Sequence, residues 1–238
     1  MSTVDLVDSQ YYEVAKSGSL AEKVTELARD RIYEDFIGIC RPSGLDKILD
    51  VGVSDIGGDA ANVVERRYSP QRNLTAVGLG DGHEFRKTFP EIDYRKVVAD
   101  QPLPFPDRSF DIVTSNAVLE HVGSFEKQRF FVSELLRVGG RVFITVPNRY
   151  FPIEHHTAIP FLHWFDSTFK FACSAAGKAK WSSPENLILM SKRRLSASCS
   201  VRDVKVGYTG IRLGPLSSNL YLFVPNSTGS SASGGAGR

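Results

Sequence analysis

Two hydrophobic periods alternate along this chain. Leu20, Val24, Leu27, Ala28, Ile32 and Phe36 recur every three or four residues, the spacing of one helix face. Ser19 and Glu22 supply the two halves of a capping box at its start, and "RPSG", Arg41 to Gly44, ends it. Short apolar runs then alternate with helical stretches. "KILDVG", "NLTAVGLG", "YRKVVAD", "FDIVTSN" and "RVFITVPN" read as five strands, and "AANVVERRY", "HEFRKTF" and "EKQRFFVSELLRV" as helices between them. In the last helix Phe130, Phe131, Leu135 and Val138 form the expected apolar side, and Gly139-Gly140 supplies a residue tolerant of the left-handed conformation at its end. Beyond these, "SVRDVKVGYTGIRL" and "SNLYLFVP" are strand-like and joined by only "GPLSS", too short for a crossover, which makes the pair antiparallel.

Strands alternating with helices predict an α/β fold with a doubly wound, mostly parallel sheet, followed by a C-terminal antiparallel strand pair. Residues 1–18 read as a flexible lead-in, 19–225 as one domain with a substrate-side insertion or lid at 146–195, and 226–238, rich in Gly and Ser, as a disordered tail.

Charge and cysteine narrow the class. Lys plus Arg number 29 against 27 for Asp plus Glu, a net charge of +2, without the basic excess of a nucleic-acid binder. Three cysteines without CxxC spacing suit a reducing cytoplasm and offer no zinc or disulfide framework. The acidic, polar start is not a signal peptide, and no apolar run reaches the ~18 residues a membrane span needs. "YFPIEHHTAIPFLHWF" is interrupted by Glu154, His155, His156 and His163; it could line a pocket or touch a membrane surface. Its aromatics, Tyr150, Phe151, Phe161, Trp164 and Phe165, read as core or lid.

The candidate chemistry begins at "KILDVGVSDIGGD", where a strand runs into Asp50, Gly52 and a tight turn. A parallel sheet binds ligands at the carboxyl ends of its strands. Gly52, Ser54 and Gly57 form a degraded GxGxxG, but Ser54 replaces the glycine that approaches a pyrophosphate, and Asp50 adds negative charge there. Both features disfavour a nicotinamide dinucleotide. A cofactor carrying an ammonium and a sulfonium would instead gain from Asp50.

The segment resembles motif I, DxGxGxG, of the class I S-adenosylmethionine-dependent methyltransferases. "VVADQPLPFPDRSFDIVTSNAVLEHV", Val97 to Val122, is similar to the methyltransferase type 11 group, and the resemblance runs from Lys47 to Pro147. It implies a seven-stranded Rossmann-like sheet with S-adenosyl-L-methionine as cofactor. Asp50 and Gly52 would flank its methionine end, with Gly57 in the same loop. Asp100 would accept from the adenine amino group, Gln101 would lie beside the ring, and Asn116 and Ala117 would back the sulfonium. The family's ribose-binding acid is absent at Gly78, and Asp81 is the substitute candidate.

The expected reaction is methyl transfer to the hydroxyl of a small molecule or saccharide. Glycan or lipid-linked saccharide biosynthesis is suggested by the resemblance of "VPNRYFPIEHHTAIPFLHW" to enzymes of that kind. His155 or His156, then His121, are the candidate bases. Adjacent histidines diverge on any regular element and no HxxxH or HExxH spacing is present, so no metal is expected. The alternative is a degenerate methyltransferase fold acting as a non-catalytic binding or regulatory protein. Peripheral membrane contact and oligomeric state stay open.

Overall fold

The structure is a computed structural model. It describes residues 20–56 and 61–227. The lead-in at 1–18, the Ser19 cap, Gly57 and residues 228–238 of the expected tail lie outside the described residues.

Helix α1 (Leu20–Cys40) ends directly before the expected breaker. Ala28, Ile32, Tyr33, Phe36 and Cys40 are buried, whereas Val24 and Leu27 are nearly half exposed. The apolar stripe therefore meets the sheet only from Ala28 onward. The chain continues through β1 (Ile48–Val51), α2 (Val63–Arg67), β2 (Leu74–Gly78), α3 (His83–Thr88), β3 (Asp93–Lys96), β4 (Phe110–Asn116), α4 (Phe125–Val138) and β5 (Gly139–Pro147). After a long segment containing α5 (Asp166–Ala175) and α6 (Lys192–Ala197), it closes with β6 (Lys205–Leu213) and β7 (Leu216–Val224).

The seven strands lie in the order β3-β2-β1-β4-β5-β7-β6. The first five are parallel; β7 runs antiparallel to β5 and β6 antiparallel to β7. The strand order reverses between β1 and β4, which pair directly through Ile48 with Ile112 and Asp50 with Thr114. Crossovers leave β1 in one direction and β4 in the other, so a crevice opens at their carboxyl ends.

Period-two alternation divides the core. Leu49 and Val51 point to the face covered by α4 and α6, with Leu135, Val138 and Leu195. Ile48 points to the face covered by α1, α2 and α3, with Phe36, Val64 and Phe85. A third, smaller cluster, Ile159, Phe169, Ala172, Cys173, Trp181 and Leu187, is the private core of the segment after β5.

Two local expectations change. Gly139 is extended, at φ −111° and ψ 149°, and β5 starts there without a left-handed cap. The glycine is needed for space: a Cβ would lie 2.5 Å from Val113 Cγ2 on the neighbouring strand. At the far end, Ser227 is buried and its hydroxyl donates to the Gly139 carbonyl at 2.6 Å, so the placed chain extends past the expected boundary at 226.

Candidate active site

The crevice at the switch point is a cleft of about 530 Å³. Gly52, Gly78, Asp100, Gln101, Ala117 and His121 line it, one or two from the end of each of the first four parallel strands. Three of these residues have left-handed backbone: Gly52 at φ 98°, Asp100 at 60° and Ala117 at 55°. Such conformations in non-glycine residues are uncommon and cluster at functional sites. At Gly52 the glycine is obligatory on a second count, because a Cβ would meet Val118 Cγ2 at 2.3 Å.

Ser54 and Ile56 do not fill the cleft. They line a separate groove with Asn62, Arg66 and Phe85. The turn is latched from that side: Ser54 N donates to Asn62 Oδ1 at 2.9 Å, and Asn62 Nδ2 returns a bond to the Ser54 carbonyl at 2.8 Å. A polar pair thus performs the bend that glycines perform in the DxGxGxG pattern.

The acids are distributed differently from the sequence reading. Asp50 shares Ile48's face of β1 and therefore meets α2 rather than the cleft. It is buried against Glu65, and the two carboxyls share a hydrogen bond. Burial, reinforced by the Glu65 charge, raises the Asp50 carboxyl well above the usual range, and burial pushes Glu65 up to about 7. Asp81 turns outward to an ion pair with Lys96 Nζ at 2.6 Å and does not line the cleft. Gly78 leaves no room for an acid, since an added Cβ would lie 2.8 Å from the Tyr94 hydroxyl oxygen. Asp55, which the sequence reading passed over, accepts from the amides of Gly82, His83 and Phe85 at 2.8–3.1 Å and holds the loop after β2. Asn116 is likewise set back from the cleft, accepting from the Thr145 hydroxyl. Asp100 stays at the rim, paired with Lys127 Nζ at 2.5 Å.

Phe130 and Phe131, expected in the core beneath α4, instead form part of the cleft wall; Val132, Leu135 and Val138 carry the burial. The aromatics after β5 also divide. Phe151 is buried, while Tyr150, Phe161 and Phe165 are exposed.

The candidate histidines come from two elements. After β4, the left-handed Ala117 turns the chain into a single 3-10 turn, Leu119–His121. Leu119 enters the core, Glu120 is buried, and His121 reaches the cleft. The segment after β5 docks on this turn: Ile188 N donates to the Glu120 carbonyl at 2.8 Å, and His121 Nδ1 lies 2.6 Å from the Asn186 carbonyl. His156 is fixed by Glu154, whose carboxylate accepts from His156 N at 3.0 Å, Thr157 N at 2.6 Å and the Thr157 hydroxyl at 2.7 Å, and lies 2.8 Å from His156 Nδ1. Burial opposes charge on Glu154, but His156 and these donors outweigh it and hold the acid at about 2. His156 Nε2 then meets His121 Nε2 at 3.2 Å, with Trp181 packed 4.8 Å from the His156 ring. His155 diverges, its ring 6.0 Å from that of Phe151, and it lines no part of the cleft. His163 turns its Nε2 to the Phe151 carbonyl. Among the described residues, Glu120, His121 and His156 bring ligand-capable atoms within 4.8 Å of one another.

The methyltransferase domain family of type 11 matches residues 50–144. A ubiquinone biosynthesis O-methyltransferase of Pseudomonas aeruginosa (strain UCBPP-PA14) is 28% identical over 110 residues, 43% of this chain and 45% of that protein. The chain thus spans less than half the length of that relative. Its fold is similar to that of an S-adenosylmethionine-dependent methyltransferase of Methanosarcina mazei (TM-score 0.50, 14% identity, 81% of this chain and 94% of the other). It is also similar to the CurJ carbon methyltransferase (TM-score 0.53, 14% identity, 87% of this chain and 55% of the other). At these identities the two structures speak for the fold alone. The resemblance read from the sequence is met by a class I methyltransferase fold and by a type 11 methyltransferase match over residues 50–144, and S-adenosylmethionine is the cofactor these findings support.

Proposed function

We propose, from a class I methyltransferase fold with an open cleft at its switch point, that the chain transfers the methyl group of S-adenosylmethionine to the hydroxyl of a small molecule. The carrying observation is the cleft itself, about 530 Å³ with Gly52, Asp100 and Ala117 held left-handed around it. In this reading the Gly52 backbone passes the methionine portion, and Asp100 and Gln101 take the adenine edge. Ala117 stands behind the sulfonium. Asp50 contributes through its position on β1 rather than by touching the cofactor.

The sulfonium methyl is already activated, so the protein's task is alignment. The acceptor oxygen forms a bond to the methyl carbon, the carbon–sulfur bond breaks with its electron pair passing to sulfur, and the hydroxyl proton departs. Of the three histidines considered, His121 alone lines the cleft, and it is the side chain that would meet the acceptor. Phe130 and Phe131 offer an aromatic wall on which a sugar face or a planar ring stacks. A saccharide hydroxyl, in glycan or lipid-linked saccharide assembly, is the narrower form of the proposal.

A second reading is favoured by one observation. Among the described residues Gly78 stands at the end of β2 where the motif expects an acid, Asp81 is paired with Lys96, and Asp100 already has a lysine partner. A fold that had lost its cofactor would act by binding alone. Calorimetry with S-adenosylhomocysteine separates the two. One-to-one binding is expected, and silence at near-millimolar ligand overturns the enzymatic reading. A panel of saccharide and phenolic acceptors, assayed for labelled methyl transfer, then tests the oxygen and the acceptor class.

A further inference from the structure

The exposed apolar side chains are not spread evenly over the molecule. Ile153, Phe161, Leu162, Phe165 and Phe171 all fall within residues 153–171, in the segment after β5. Phe165 and Phe171 are 68% and 76% exposed, although this segment has a buried core of its own that takes Phe169 and Trp181. Exposed apolar residues scattered singly are ordinary, whereas five in one short stretch mark an interaction surface.

Local contacts join them. Residues 152–161 fold back on themselves, with Ile153 bridged to Pro160 and Phe161 N donating to the Pro152 carbonyl at 2.8 Å. Phe161 and Leu162 stand where this loop returns. Phe161 is a bulky residue at φ 58° and ψ −31°, a backbone outlier. Its ring stays outside the core, edge-to-face with Trp164 at 5.4 Å. The Thr168 hydroxyl, 2.5 Å from the Leu162 carbonyl and 3.0 Å from the Phe165 carbonyl, ties the loop to the first turn of α5. That helix sends Phe169, Ala172 and Cys173 inward. Helical spacing then turns Phe171 outward, on the side of the exposed Lys170 and Ser174.

The charge around these rings has one sign. Residues 155–184 carry three lysines, Lys170, Lys178 and Lys180, and one acid, Asp166. Asp166 is already paired with Arg149 at 2.7 Å. Lys180 stands on the 3-10 turn Ala179–Ser182, which packs against α5. Protein interfaces favour aromatics and arginine and are poor in lysine. Aromatic rings with lysines suit the headgroup layer of an anionic bilayer, where rings sit at the polar–apolar boundary and ammonium groups meet lipid phosphates. A loop tip and a ten-residue helix can enter that layer and are too short to span a bilayer.

We propose that this face docks on the surface of an anionic lipid membrane. Phe161, Leu162 and Phe171 enter the headgroup layer, and Lys170 and Lys180 meet its phosphates. The same segment brings His156 to His121 and places Glu185 on the cleft wall. Docking therefore sets the cleft beside the bilayer. The contact stands by itself; its use, to meet an acceptor held in the membrane, rests on the proposed methyl transfer.

The test is flotation of the whole chain with lipid vesicles. At low salt the chain should float with vesicles of three parts phosphatidylcholine to one part phosphatidylglycerol. Binding should be at least about ten-fold weaker to phosphatidylcholine alone, and added salt should weaken it. Lys170→Glu/Lys180→Glu should lower partition by on the order of 30-fold or more. Phe161→Ser/Phe171→Ser should lower it by about 10- to 100-fold. Leu45→Ser, at a residue 90% exposed before β1, should change nothing. All these side chains are exposed, so the variants should melt with wild type. Wild-type chain that does not float with the anionic vesicles, or double variants that float as well as wild type, overturns the proposal. So does a concentration-dependent dimer that Phe161→Ser/Phe171→Ser abolishes, which would assign the face to a second copy of the chain. Flotation of a chain that binds no S-adenosylhomocysteine would count against methyl transfer and leave the membrane contact standing.

Discussion

Two regions of this molecule carry their chemistry in opposite ways. Between β1 and β4, the cleft proposed for the cofactor is made by chain ends and backbone: Gly52, Asp100 and Ala117 are set apart by their positive φ angles. In the segment after β5, irregular chain is held by a few buried polar contacts, and the chemistry lies in side chains converging from afar. His156 meets His121 from 35 residues away. The first region is organised by the sheet. The second, with a private core of six buried residues, is organised by Glu154. The cofactor half should therefore tolerate damage to the segment better than the segment does.

Glu154→Ala tests that separation and should have the largest effect. The carboxylate is buried and serves four donors from His156 and Thr157. Removing it leaves those groups facing a void, at a cost of roughly 3–5 kcal/mol. Hydrogen exchange should show the loss confined to residues 148–191. Affinity for S-adenosylhomocysteine should hold within a few-fold. A parallel loss of cofactor binding would show that the two regions stand or fall together.

Gly52→Ala attacks the other side. The new methyl would sit 2.3 Å from Val118 Cγ2 on a residue held at φ 98°. Strain and overpacking of this kind cost roughly 1–3 kcal/mol. Because the clash is at the cleft wall, S-adenosylhomocysteine affinity should fall by about 10- to 100-fold. Protection of the segment after β5 should not change. Unaltered affinity would remove the Gly52 backbone from the cofactor site.

The same contrast explains what could be read in advance. The order of helices and strands was legible because each element buries one face against a neighbour, and burial imposes a period on sequence. The antiparallel pair was legible from a connection too short to cross over. Residues of the cleft adjoin those strands, so Gly52, Asp100, Gln101 and Ala117 could be placed at its edge from sequence. Side-chain direction was harder. Asp50 stands where the motif requires an acid, yet parity with Ile48 turns it toward Glu65 on α2. Phe130 and Phe131 fit the helical stripe, but the stripe rotates from core to cleft within one turn. The Glu120, His121 and His156 group had no spacing signature, because β5 and part of the later segment separate its members. Only the neighbouring Glu154, His155 and His156 marked that region as unusual.

Glu65→Gln probes the pair behind the cofactor loop through pH. Both carboxyls are raised by burial, so the folded state holds protons that the unfolded chain has released. The Glu65 share of stability is thus greatest below its unfolded value near 4.5 and falls as pH rises toward about 7, with the Glu65 penalty constant above that. A shift of that size corresponds to roughly 3–4 kcal/mol at most. The variant should melt a few degrees higher than wild type at pH 8 and nearly equal to it at pH 4. A variant less stable at pH 8 would mean that the Glu65 charge is compensated.

Lys127→Ala should have the smallest effect on folding and the most informative effect on the cleft. The Lys127–Asp100 pair is about half exposed on both sides. Solvent and salt screen such pairs to ~0–1 kcal/mol, so melting should move by no more than a few degrees. The lysine nevertheless occupies the carboxylate assigned to adenine. If Asp100 binds adenine through that carboxylate, releasing it should tighten S-adenosylhomocysteine binding by a few-fold at low salt, and the gain should shrink as salt weakens the pair in wild type. Asp100→Ala should weaken binding in either background. Weaker binding in Lys127→Ala, with Asp100→Ala neutral, would transfer cofactor contact from the acid to the lysine and redraw this edge of the cleft.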